Sequence, residues 1–239
     1  FLSAGISLEK NLRKLALEDA KEEEYLYVKP LGKEKLLLIL EQMLSSGKFQ
    51  VRLKAYDPYE GREREKTLSL ERGGGSIQTV GNLVYVWNED TLQVYDENLS
   101  LQKTCKVDFA YISYWVSGNG KKIYAEDING KLYSGDIPAD GRKIHFQPFF
   151  EGFYNVRILG EGDGTFFLDA VDPRTLRRET YLVDASGGYV MEKLGQYAPV
   201  EAGFSLGEDG SEICVLKEGS SVFCRSPETG AEEKEYAIQ

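Results

Sequence analysis

One turn motif returns at near-constant intervals, and it constrains the fold of this chain more than any other feature. An extended run ends in an acidic residue and a tight turn at Tyr56-Asp57-Pro58-Tyr59-Glu60-Gly61 and at Tyr95-Asp96-Glu97-Asn98. The same happens at Gly135-Asp136-Ile137-Pro138-Ala139-Asp140-Gly141, at Val183-Asp184-Ala185-Ser186-Gly187-Gly188 and, in a variant form, at Arg225-Ser226-Pro227-Glu228-Thr229-Gly230. Measured from Asp57 to Ser226, the successive intervals are 39, 40, 48 and 42 residues. A period of this length marks an array of similar units that bury their apolar faces against one another.

Each unit reads as a meander of strands. Lys122–Ile128 and Lys131–Ile137 flank Asn129-Gly130, and Leu83–Trp87 and Leu92–Tyr95 flank Asn88-Glu89-Asp90. Thr165–Val171 and Arg177–Asp184 flank Asp172-Pro173-Arg174-Thr175, and Ile213–Leu216 and Val222–Cys224 flank Lys217-Glu218-Gly219-Ser220. Asn-Gly and Asp-Gly pairs favour tight hairpins because both residues accept positive φ. Leu36–Leu40 is apolar on both faces, as expected of a strand in a sheet sandwiched between other sheets. The expected blades are 25–72, 73–108, 109–150, 151–195 and 196–239.

A second turn lies upstream of the acidic one in several units. Val116-Ser117-Gly118-Asn119-Gly120-Lys121-Lys122-Ile123 is matched by Phe204-Ser205-Leu206-Gly207-Glu208-Asp209-Gly210-Ser211-Glu212-Ile213 and by Gly160-Glu161-Gly162-Asp163-Gly164-Thr165-Phe166. This Ser-x-Asp/Asn-Gly-x-x-Ile/Phe pattern resembles the inner hairpin of WD40-like and TolB-like propeller repeats. The resemblance covers three of the five units; the Trp-Asp dipeptide of WD40 repeats is absent. It implies an all-β chain, a β-propeller of four-stranded antiparallel blades.

Residues 1–24 admit two readings. Leu8, Leu12, Leu15 and Leu17 among Lys and Glu fit a helix. Alternatively, Ser7–Leu12 resembles Ser100–Cys105, the outer strand of a blade. On that second reading the chain begins inside a sixth repeat and is part of a larger ring. The start at Phe1 rather than Met leads to the expectation of a removed leader or anchor, or of a longer parent chain. An exported or cell-surface setting is expected over a cytoplasmic one.

Composition narrows the partners. Net charge is −10, with 39 acidic residues against 29 basic ones. Nucleic acid and an anionic membrane surface are therefore unexpected partners. No run of 18 apolar residues is present, so no membrane insertion is expected within this segment. No metal or other cofactor is expected. The chain has three cysteines and a single histidine, His145, too few for an ordinary zinc site.

Several residues invite a chemical reading. His145 lies in a strand-like run without a Ser or Cys nucleophile motif beside it, so no catalytic residue is assigned. Cys214 and Cys224 are symmetric about residue 219 and are expected to face each other across a hairpin, as a disulfide or as two buried thiols. Gly73-Gly74-Gly75 lacks the Gly-Lys-Ser/Thr ending of a phosphate loop and reads as a flexible connection between blades. Asp127, Glu161, Asp163, Asp169, Asp172 and Asp184 could supply a calcium or sugar-processing site, although turn capping accounts for most of them.

One region departs from the pattern. Phe146, Phe149, Phe150, Phe153 and Tyr154 cluster where one blade passes to the next. The longest interval between acidic turns, the 48 residues from Asp136 to Asp184, ends in the fourth unit, which carries Arg174, Arg177 and Arg178 in its central hairpin. In a meander these two connections fall at the same end. Aromatic residues beside arginine suit a recognition patch, so Phe149, Phe150, Phe153, Tyr154, Arg174, Arg177 and Arg178 are the expected partner-binding residues. The expected function is a non-catalytic binding or scaffold propeller that takes a protein, peptide or small ligand on one face. It would be the exported or sensor portion of a bacterial surface protein. The competing expectation is a propeller enzyme, such as a calcium-dependent hydrolase or a sugar-active protein.

Overall fold

The computed structural model describes residues 25–162, 164–195 and four short strands between residues 204 and 237. Residues 1–24, on which the helix-or-strand reading falls, lie outside the described residues, as does Asp163. The described residues form strands in five antiparallel four-stranded sheets, each in meander order. The first sheet is β1 (Tyr25–Leu31), β2 (Lys35–Met43), β3 (Phe49–Asp57) and β4 (Arg62–Leu70). The second is β5 (Ile77–Val80), β6 (Leu83–Asn88), β7 (Thr91–Tyr95) and β8 (Leu101–Lys106). The third is β9 (Ser113–Val116), β10 (Lys122–Glu126), β11 (Leu132–Asp136) and β12 (Phe146–Pro148). The fourth is β13 (Tyr154–Gly162), β14 (Thr165–Asp172), β15 (Arg177–Asp184) and β16 (Val190–Gly195). The fifth is β17 (Phe204–Leu206), β18 (Ile213–Lys217), β19 (Ser221–Arg225) and β20 (Lys234–Ala237).

The chain divides into two compact units. The first takes in the described residues up to Phe109 together with Asn119–Lys121 and Asp136–His145. The second takes in Ala110–Gly118, Lys122–Gly135 and the described residues from Phe146 onward.

The recurring acidic residue has a local physical job. It ends a strand, and its side chain replaces the hydrogen bonds that the ladder can no longer supply. Asp57 Oδ1 accepts the backbone N–H groups of Tyr59 and Glu60, and Asp96 Oδ1 those of Asn98 and Ser100. Asp184 Oδ1 accepts those of Ser186 and Gly187, and Asp127 does the same one hairpin earlier for Asn129 and Lys131. These are Asx turns, which hold the bend without help from the rest of the fold.

In the first unit the core lies between the first two sheets. Leu37, Ile39, Val51, Leu53, Val84, Val86 and Tyr95 pack together there. Leu38 and Leu40 on the other face of β2 are equally buried, which is why Leu36–Leu40 lacks the apolar–polar alternation of a half-exposed strand.

The triple glycine is not a flexible connection. Gly74–Ser76 forms a single 3-10 turn, and the Gly74 N–H donates to Glu41 Oε2. Glu41 is buried, and its other oxygen accepts from the Tyr27 hydroxyl at 3.0 Å. That bond to Glu41 is the leading cause holding the Tyr27 phenol above its ordinary pKa. A Cβ on Gly74 would sit 2.7 Å from Ile39 Cγ2, and one on Gly73 would collide with the Glu41 carboxylate. The glycines are therefore needed for a close approach. Gly74→Ala is expected to destabilise the protein by about 1–3 kcal/mol, because it overpacks Ile39 and weakens the backbone hydrogen bond to the buried Glu41 carboxylate. Urea unfolding monitored by circular dichroism checks this; a wild-type midpoint would refute the close-approach reading.

Candidate functional site

The residues expected to bind a partner fall in two connections of the second unit, 149–153 and 173–176, and at the strand ends that follow them, Tyr154 on β13 and Arg177 and Arg178 on β15. Strand register brings them to one end of the fourth sheet. Tyr154 on β13 stands opposite Val171 on β14, and Val171 stands opposite Arg178 on β15. Arg178 Nη1 donates to the Asn155 carbonyl at 3.4 Å, across that end.

The aromatic half of the patch turns inward. Phe149 and Phe150 are only 6% and 3% exposed. Phe149 meets Tyr124 edge-on, with ring centroids 5.0 Å apart, and Phe166 at 6.2 Å. Phe150 stacks on the partly buried Phe153 at 4.3 Å, and both lie against Tyr181. The crossing from β12 to β13 makes this fit through two positive φ angles, +54° at Phe150 and +87° at Gly152. Gly188 allows the neighbouring turn to close over it, since a Cβ there would lie 2.8 Å from the Phe150 nitrogen. Burying large aromatic surfaces outweighs presenting them to water, so these rings are core. Tyr154 alone of the four is exposed, at 43%.

The arginines separate as well. In the β14–β15 hairpin, Asp172 Oδ1 accepts the Arg174 N–H at 2.8 Å, and the Arg174 guanidinium returns to the same carboxylate at 3.3 Å. The backbone N–H first, and the guanidinium after it, hold the Asp172 carboxyl below the usual carboxylate range. Leu176 donates its N–H to the Asp172 carbonyl and takes φ +56°, with its side chain 80% exposed. Arg177 is exposed and has no ion-pair partner among the described residues. Arg178 faces the other way: its Nη1 lies 2.5 Å from Oδ2 of Asp169, a carboxylate only 1% exposed. What remains on the surface of the expected patch is Tyr154, Arg174 and Arg177, with Leu176 added.

Other acidic residues hold the fold together. Glu161 Oε2 accepts from the Gly118 N–H at 2.7 Å and from Trp115 Nε1 at 3.4 Å. Glu179 is buried, with the Tyr181 hydroxyl and Lys193 Nζ on it. Burial first, and the bond to Glu179 second, push the Tyr181 phenol up to about 12, so it stays a neutral donor. His145 is exposed. Cys105 is buried, and its thiol pKa is raised by that burial. The backbone register of β18 and β19 sets Cys214 opposite Cys224. Among the described residues no group of His, Cys, Asp and Glu could hold a metal ion, and no helix is long and apolar enough to cross a membrane.

Comparison with known proteins adds the fold class. No family model matches the chain, and no curated protein matches it in sequence. Among solved structures it is similar to the Cps50 (Swd1) β-propeller domain of Myceliophteria thermophila, with a TM-score of 0.51 at 8% identity, covering 90% of this chain and 76% of that one. The sheets are β-propeller blades. The third and fourth blades together carry the candidate end.

Sequence reading missed three residues near that end: Trp115, Glu126 and Arg157. Their signal is weak but present. Lys122-Ile123-Tyr124-Ala125-Glu126 is an inner strand with a carboxylate on the same face as Tyr124, where an apolar residue belongs.

Proposed function

We propose that the chain is a non-catalytic binding or scaffold propeller that engages an acidic, partly apolar segment of a protein or peptide at the end of its fourth blade. One observation carries this reading. In a chain of net charge −10, Arg174, Leu176 and Arg177 stand exposed on one hairpin, with exposed Tyr154 beginning the neighbouring strand. Asx bonding fixes the hairpin, so little ordering entropy is lost when a partner docks. Guanidinium groups suit carboxylates, and Leu176 and Tyr154 supply an apolar contact between them.

The test is the double variant Arg174→Glu/Arg177→Glu. Labelled peptides rich in Glu and Leu are titrated and followed by fluorescence anisotropy. Binding is expected to weaken by about tenfold or more, because reversing rim charges acts on attraction and association rate. Arg177→Glu alone is expected to move the melting temperature by no more than about 2 °C, since that side chain is exposed and unpaired among the described residues, whereas Arg174→Glu also removes a bond to Asp172 and is expected to lower it by a few degrees more. Unaltered peptide binding would place the recognition surface elsewhere. Protease accessibility of the chain on intact cells tests the accompanying proposal of an exported or cell-surface setting.

A further inference from the structure

The second unit holds a cavity of about 350 Å³, lined by residues of β9, β10, β11 and β13. Its floor follows from register. Ser113 pairs with Glu126 and Trp115 with Tyr124, so the four side chains share one face of the third blade. Ile158 and Arg157 line it from β13. The walls are rigid. Trp115 is held through its ring N–H by Glu161, and Tyr124 is packed edge-on against Phe149 and Phe166.

Two opposite charges meet in this space. Glu126 is 8% exposed, and the one hydrogen bond recorded for its carboxylate comes from Ser113 Oγ at 3.0 Å. Desolvation raises its pKa, opposed by Ser113 and by the charges of Arg157 and Arg178. Arg157 is exposed, and among the described residues no acid lies within ion-pair distance of it. Both groups therefore face the cavity with bonding capacity to spare, above aromatic and aliphatic walls.

We propose that this cavity binds a small zwitterion of the α-amino acid class with an apolar side chain: the ammonium on Glu126, the carboxylate on Arg157 and the side chain against Trp115 and Ile158. Size supports the class, because the volume lies near the lower end of the range for ligand sites and suits a single amino acid better than a larger cofactor. Charge selects the zwitterion. A simple amine would satisfy Glu126 but face Arg157, and a simple carboxylate would satisfy Arg157 but face the buried Glu126. A ligand carrying both charges pairs with both groups; the acid is disfavoured because it leaves the buried Glu126 unpaired beside a like charge, and the amine because its ammonium meets the Arg157 guanidinium with nothing to offset the repulsion. This site goes beyond the peptide-binding reading and uses none of its residues.

Three probes with the same ring isolate the charge pattern: phenylalanine, 2-phenylethylamine and 3-phenylpropionate. Isothermal titration calorimetry on the full chain is expected to give phenylalanine a Kd between about 10 μM and 1 mM. The amine and the acid are expected to bind at least about tenfold more weakly. Glu126→Gln, which keeps the volume and the bond to Ser113, and Arg157→Gln are each expected to weaken phenylalanine by a similar factor. The exposed Arg157 keeps the test alive if the buried Glu126 variant fails to fold. The proposal is overturned if no probe binds at about 10 mM, if either singly charged probe matches phenylalanine, or if Arg157→Gln binds phenylalanine as wild type does.

Discussion

Replacing Phe149 by alanine is expected to destabilise the second unit by about 3–5 kcal/mol, the cost of deleting a fully buried aromatic ring that the surroundings cannot refill. The ring is edge-on to both Tyr124 and Phe166, and those two are themselves 4.7 Å apart, so the three form one aromatic cluster. Leu132, Val156, Leu168 and Tyr181 belong to the same core. Rigid walls on several sides leave a cavity rather than a collapse. Thermal unfolding by circular dichroism should show a midpoint lower by roughly 10 °C. The same experiment separates core from recognition surface. A residue that mainly contacts a partner would lose binding with the melting temperature preserved, and that outcome for Phe149→Ala would restore the sequence-based reading. Phe149→Leu, which keeps apolar volume, is expected to cost less than half as much.

The repeat was legible in the sequence because its signal is local. Asp57, Asp96 and Asp184 close turns with their own carboxylates, so one residue type at one spacing reports a structure that needs no tertiary context. Hairpins were legible for the same reason. The strands Thr165–Asp172 and Arg177–Asp184 end within one residue of where Asp172-Pro173-Arg174-Thr175 places them. The blade class followed from four such strands per interval, and the likeness to a solved propeller domain agrees with it.

The candidate site was legible only in part, because exposure is decided between strands rather than along them. Phe149, Phe150, Phe153 and Tyr154 are neighbours in sequence, yet the positive φ at Phe150 and Gly152 folds the phenyl rings inward and leaves Tyr154 outside. A string of letters does not contain that bend. Gly73–Gly75 failed differently: composition suggested flexibility, whereas the requirement is for backbone to reach Glu41, far away in sequence. Glu126 and Arg157 come together only when β9, β10 and β13 are assembled, and neither forms a motif with its sequence neighbours.

Arg177 and Arg178 read as one basic group in the sequence, but successive strand residues point to opposite faces. Arg177 projects into water, and Arg177→Ala is expected to change stability by no more than about 0.5 kcal/mol. Arg178 supplies the countercharge for Asp169, whose Oδ1 has no hydrogen-bond partner among the described residues. Removing one member of a buried ion pair costs about 3–5 kcal/mol, because the charge left behind is neither hydrated nor paired. Arg178 is itself 30% exposed, so water reaches part of the gap, which places Arg178→Ala near the lower end, at about 3 kcal/mol. A double-mutant cycle with Asp169→Asn isolates the pairing: once the carboxylate is gone, losing the guanidinium should cost clearly less than it does alone. Arg178→Lys should recover only part of the loss: one guanidinium nitrogen, Nη1, reaches both Asp169 and the Asn155 carbonyl, and the lysine side chain is one bond shorter and carries a more strongly hydrated charge. Equal melting temperatures for Arg177→Ala and Arg178→Ala would show that the two side chains share one environment. The recognition hairpin would then have to be redrawn to include Arg178.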